Sequence, residues 1–159
     1  MSARMRCHRR AGPYALLAAL VMAAVGACGG AGAPPVEALA VTDARIVLPP
    51  PGAGSAAGYM RMRNDGDAAL TLDGLASDAH GRVEVHEMKH EGGMMRMREI
   101  PALGIAPGET VSLEPHGTHL MLMAPQRDLA AGEAVTLTID YRIDGERYQR
   151  VLEIPAEAR

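Results

Sequence analysis

From residue 39 onward the chain alternates apolar and polar positions in short runs, and each run stops at Gly, Pro, Asn or Asp. A period of two is the pattern of a strand with one buried face. It predicts strands over Leu39–Val47, Ala56–Arg63, Ala69–Leu75, Val83–Met88, Met94–Arg98, Thr110–Leu113, His119–Met123, Ala134–Ile143 and Glu146–Ile154. The turn signals between them are "RNDGD", "HEGG", "APGE", "EPHG", "LAAGE" and "IDGE". Asp144-Gly145, between two alternating runs, is a two-residue hairpin signal. In that hairpin Val135, Leu137, Ile139 and Tyr141 share one face, answered by Tyr148, Leu152 and Ile154. No stretch sustains a period of 3.6, and no internal repeat is visible. Many short strands at this spacing imply an all-β antiparallel sandwich or barrel.

The first residues follow a different pattern. "MSARMRCHRR" is basic, and the fourteen residues from Tyr14 to Ala27 form an apolar run. A membrane span needs about 20 apolar residues, so this segment reads as a signal peptide over residues 1–27. Val25-Gly26-Ala27-Cys28 resembles a bacterial lipobox, which implies acylation of Cys28 and attachment to a membrane surface. Cleavage without a lipid competes with this, because small-residue cleavage sites are abundant here, as does an uncleaved signal anchor. Residues 28–38, containing "GGAGAPPVEA", read as a flexible tether. The folded domain is expected over 39–155, in a periplasmic protein, as a monomer.

Composition sharpens this. The 159 residues suffice for one domain with a modest core. There is no Phe or Trp, and eleven Met, so some methionines are expected as core filling. Without the four arginines of the signal, 12 basic residues stand against 19 acidic ones, a net charge of −7. That excludes nucleic acid as a partner, since phosphate binding needs clustered Lys and Arg. Both cysteines, Cys7 and Cys28, precede the domain. The domain therefore has no disulfide, no thiolate nucleophile and no Cys ligand.

The candidate chemistry lies in three segments, "VEVHEMKH", "GGMMRMRE" and "GTHLMLM". Strand parity sorts each into faces. Val83 and Val85 point one way, His86 and Met88 the other. Met95 and Met97 share a face. Leu120 and Leu122 take the buried face, and His119, Met121 and Met123 the opposite one, where core filling explains them poorly. A thioether is a poor ligand for zinc, calcium or magnesium and a good one for Cu(I). Two imidazoles with several thioethers and no thiolate point to a soft metal ion.

The spacing of His86, Met97, His119 and Met121 is H-x10-M-x21-H-x-M. This resembles the periplasmic copper chaperone family called PCuAC. The flanking "EVHEM", "MRMR", "IAPGETVSLEPHGTHLMLM" and "AAGYMRMRNDGD" are also similar to that family, so the resemblance covers roughly 39–154. It implies a cupredoxin-like β-barrel with Greek-key character that binds one Cu(I) through those four residues. It further implies delivery to the binuclear copper centre of a cytochrome oxidase, the acceptor being that subunit or another chaperone. Met88 and Met123 are auxiliary candidates at the rim. His90, placed in a "KHEGG" turn, is a candidate for adventitious Cu(II). His116 falls in a turn, and His80 has no assigned role. The chain ends "EIPAEAR" and lacks the His/Met-rich tail of some members.

Other classes fare worse. An electron-transfer cupredoxin needs a Cys ligand that the domain lacks. No Ser-His-Asp order, HExxH or paired carboxylates suggest an enzyme. Copper storage or resistance, and a non-metal structural role, stay open from the residues alone.

Overall fold

The computed structural model describes residues 37–50 and 53–159. The expected signal segment, Cys28 and all but the last two residues of the tether lie outside the described residues.

Ten strands and no helix occur among the described residues. They are β1 (Leu39–Val47), β2 (Ser55–Asn64), β3 (Leu70–Ser77), β4 (His80–Glu91), β5 (Met94–Glu99), β6 (Leu103–Ile105), β7 (Thr110–Leu113), β8 (Thr118–Pro125), β9 (Ala134–Ile143) and β10 (Glu146–Glu157). Nine of these coincide with the alternating runs. β6 has only three residues between Pro101 and Pro107, too few for alternation to register. Its partner supplies the order, with Leu70 opposite Ile105. The fully buried Asn64 helps: its side-chain amide donates to the carbonyls of Ile105 (3.0 Å) and Ala68 (2.8 Å) while its Oδ1 accepts from Gly66 N–H. Every polar atom of that buried side chain is thus satisfied.

The strands join in the order β5-β4-β8-β2-β1-β10-β9-β3-β6, with β7 also on β2. The ladders are antiparallel except β1–β10, which runs parallel and pairs Ile46 with Ala156. The antiparallel expectation is therefore corrected at this one junction. The same pairing carries β10 past Pro155 to Glu157, beyond the end its alternation predicted.

The inner faces of both halves share one apolar cluster. It includes Val83, Val85, Leu120 and Leu122, together with Val135, Leu137, Ile139 and Tyr141 of the last hairpin. Met60 and Met62 lie within it, 2% and 1% exposed, and are the methionines used as filling. Gly58 lets β2 come close: a Cβ there would stand 3.0 Å from Leu120 Cβ.

β2 pairs with β8 through Ser55–Gly58 and with β7 through Met60–Arg63. β7 and β8 thus run along the same edge in succession, separated by the 114–117 turn in which His116 takes φ 66°. This turn sets the start of β8, and with it the position of His119.

Candidate metal centre

Strands β5, β4 and β8 are neighbours at one end of the sheet order, and they carry the four motif residues. His86 lies directly opposite His119, with ring centroids 6.4 Å apart and planes tilted by 49°. Met121 is opposite Glu84, and Met97 is opposite Met88. His86 therefore has His119 beside it, Met121 on one diagonal and Met97 on the other. Diagonal neighbours are within reach of long side chains. Parity puts all four on the outer face, while Val83, Val85, Leu120 and Leu122 point inward and are buried.

Hydrogen bonds fix which nitrogens are free. His119 Nδ1–H donates to the Gly117 carbonyl at 3.0 Å, so its Nε2 carries the lone pair. His86 Nε2–H donates to Glu84 Oε2 at 2.8 Å, leaving Nδ1 as the lone-pair atom. That Nδ1 is shut off from solvent and has no hydrogen-bond partner. An orphaned imidazole nitrogen beside a second imidazole whose Nε2 carries its lone pair, with thioethers on the diagonals, fits a soft cation. Among the described residues, no three His, Cys, Asp or Glu side chains gather as a metal-holding group, so any site here needs the methionines.

Glu84 was not anticipated from the motif. It lies two residues before His86 on the same face, and only 11% of its side chain is exposed. The hydrogen bond from His86 holds its carboxyl below the usual carboxylate range; burial opposes this, and Arg82, its ion-pair partner, adds to it. A carboxylate behind a ligand imidazole orients the ring and raises its basicity. The signal was present in "VEVHEM", since parity alone puts Glu84 and His86 together.

The auxiliary candidates separate. Met88 is the cross-strand partner of Met97, next to His86 along β4. Met123 is opposite Arg82 and Ser55, a further step away from His86. His90 is not in a turn, as its sequence suggested. It is still in β4, opposite Met95, because Gly92 and Gly93, both at positive φ, make the reversal by themselves. His116 is exposed in its turn. His80 is buried at the start of β4, and its pKa is lowered by burial and then by Arg127, with Asp78 opposing.

A family model described as "Putative lipoprotein LpqE-like" matches residues 39–147, from the start of β1 into β10. The chain belongs to the LpqE-like family. A PCuAC domain from PmoF2, solved with copper bound, matches this LpqE-like chain with a TM-score of 0.64 at 20% identity. It covers 78% of this chain and 96% of that one, and it shares the fold. The copper(I) form of DR1885 from Deinococcus radiodurans is 32% identical with a TM-score of 0.57, covering 82% of this chain and 83% of that one. "Putative lipoprotein Lxx21020" of Leifsonia xyli is 28% identical over 142 residues, 89% of this chain and 86% of that protein. The domain is of the PCuAC type, with the cupredoxin-like β-fold of these neighbours.

Proposed function

We propose that this LpqE-like protein is a copper(I) carrier, not an enzyme. It holds one Cu(I) through His86, Met97, His119 and Met121 and passes it to a copper-accepting protein. The observation that carries this is the His86–His119 pair, in which His86 Nδ1 is left without a partner and Met97 and Met121 lie on the two diagonals of His86. Neutral imidazole and thioether suit Cu(I) and give hard ions little. A neutral ligand set leaves the loaded site near +1, which favours release to a thiolate or to another soft-ligand acceptor. Copper in two of the similar structures supports the choice of metal.

The acceptor in this reading is the binuclear copper centre of a cytochrome oxidase, reached directly or through a second chaperone. The protein works outside the cytoplasm, tethered by a lipid on Cys28 after loss of residues 1–27. The lipobox-like "VGAC" supports that anchoring, as do the lipoprotein names of the family and of the Leifsonia relative. Transfer from the Cu(I)-loaded chain to an apo oxidase copper domain tests the reading. Stoichiometric transfer is expected; retention of copper in the presence of excess acceptor would point to storage instead.

A further inference from the structure

His90 and Met95 have no place in the His86–His119 row, yet they face the same way. They are cross-strand partners at the end of the β4–β5 hairpin, with His90 Nδ1 3.2 Å from Met95 Sδ. Gly92 and Gly93, at φ 61° and 81°, close the hairpin tightly beyond them. The β4–β8 ladder ends at Glu87 opposite Thr118, so the hairpin beyond that rung overhangs the rest of the sheet.

All six residues of β5 are exposed, and Met95 and Met97 are 49% and 47% open to solvent. Burial cannot explain thioethers at an open edge. The hairpin is also sorted by face. Parity sends Glu87, Lys89, Glu91, Arg96 and Arg98 to the opposite side, with Met94 as the one thioether among them, and there Glu91 pairs with Arg98 at 3.2 Å. The near side holds successive rungs of soft ligands, His90 with Met95, then Met88 with Met97, and ends at His86, which lies between Glu99 of β5 and His119 of β8. Rungs two residues apart are about 7 Å apart along the strands.

We propose that His90 Nδ1 and Met95 Sδ form a second, weaker Cu(I) site at the hairpin tip. Copper enters and leaves the His86 centre from this tip by ligand exchange across the Met88–Met97 rung. Each exchange makes one Cu–ligand bond as another breaks, with no change of oxidation state. Thioethers release no proton, and His90 needs only to be neutral at Nδ1. The tip site stands on its own ligand pair, whereas the relay also rests on copper(I) binding at His86.

The test uses the full chain carrying 13C at the methionine ε-methyls, titrated anaerobically with Cu(I). The first equivalent should shift the Met97 and Met121 methyls. The second should shift Met95, while Met60 and Met62 in the core stay fixed. In H90A the first response should persist and the Met95 response to the second equivalent vanish, and in H90A/M95L removal of the first copper by a chromophoric chelator should slow about tenfold, equivalent to about 1.4 kcal/mol. A Met95 methyl unmoved by the second equivalent would overturn the tip site. Wild-type release from H90A/M95L would overturn the relay. Failure of the His86 reading is distinct, since Met97 and Met121 would then ignore the first equivalent. In that event H86A/H119A still decides the tip site by whether its Met95 methyl responds.

Discussion

Met121→Leu and Met123→Leu remove the same thioether from the same face of β8, so the difference between them isolates geometry. A strand rises about 3.4 Å per residue, which puts Met121 about 7 Å and Met123 about 14 Å along β8 from His119. The cross-strand register sharpens this contrast. Met121 is opposite Glu84, one diagonal from His86, whereas Met123 is opposite Arg82. Diagonal pairs sit about 7–8 Å apart, within the reach of a methionine folded toward a shared ion. Met123 lies beyond that reach unless the strand shifts. Met121→Leu should therefore weaken Cu(I) binding by more than about a hundredfold, near 2.8 kcal/mol, and Met123→Leu by less than about tenfold. Both positions are only half-buried and on the outer face, so neither change should disturb the core. The assay is anaerobic competition for Cu(I) against a chromophoric chelator, with thermal melts of the apo forms as the control. Equal losses from the two variants would refute the register argument and, with it, the assignment of Met121.

Glu84→Gln should lower Cu(I) affinity by about ten- to a hundredfold while leaving the ligands in place, since the carboxylate behind His86 is lost; an unchanged affinity in the same competition assay would rule out that role. Leu120→Ala should keep the copper ligands but cost about 2–5 kcal/mol in chemical denaturation, because the cavity opens against Gly58 and Leu122 in the core. His80 has its pKa lowered from 6.5 in the folded state, so the unfolded chain binds more protons below that value. Its contribution is complete above pH 6.5 and is lost as pH falls toward the folded pKa; His80→Leu should flatten the decline in stability over that window, measured by urea melts at a series of pH values.

Parity made one side of the site legible. Alternation in "VEVHEM" and "HLMLM" sends Val83, Val85, Leu120 and Leu122 inward and His86, Met88, His119 and Met121 to the other face, as the register has them, with His119 covered there to 5% exposure. It could not tell that β4 lies against β8, because such pairing depends on contacts remote in sequence. The His86–His119 opposition therefore came only from the fold. The same parity places Glu84 with His86, but an oxygen donor lies outside the soft-ligand pattern of the motif. β6 was too short to show a period, and the parallel β1–β10 contact leaves no local signature. "HEGG" reads as a four-residue turn that would take in His90, whereas Gly92 and Gly93 alone suffice for the reversal.

The central claim is a Cu(I) site built from imidazole and thioether together. X-ray absorption at the copper edge, on the chain loaded anaerobically with one equivalent of Cu(I), tests it most directly. Nitrogen and sulfur scatterers are expected in the same coordination shell, with the sulfur contribution reduced in Met121→Leu. A shell of nitrogen and oxygen alone would contradict it.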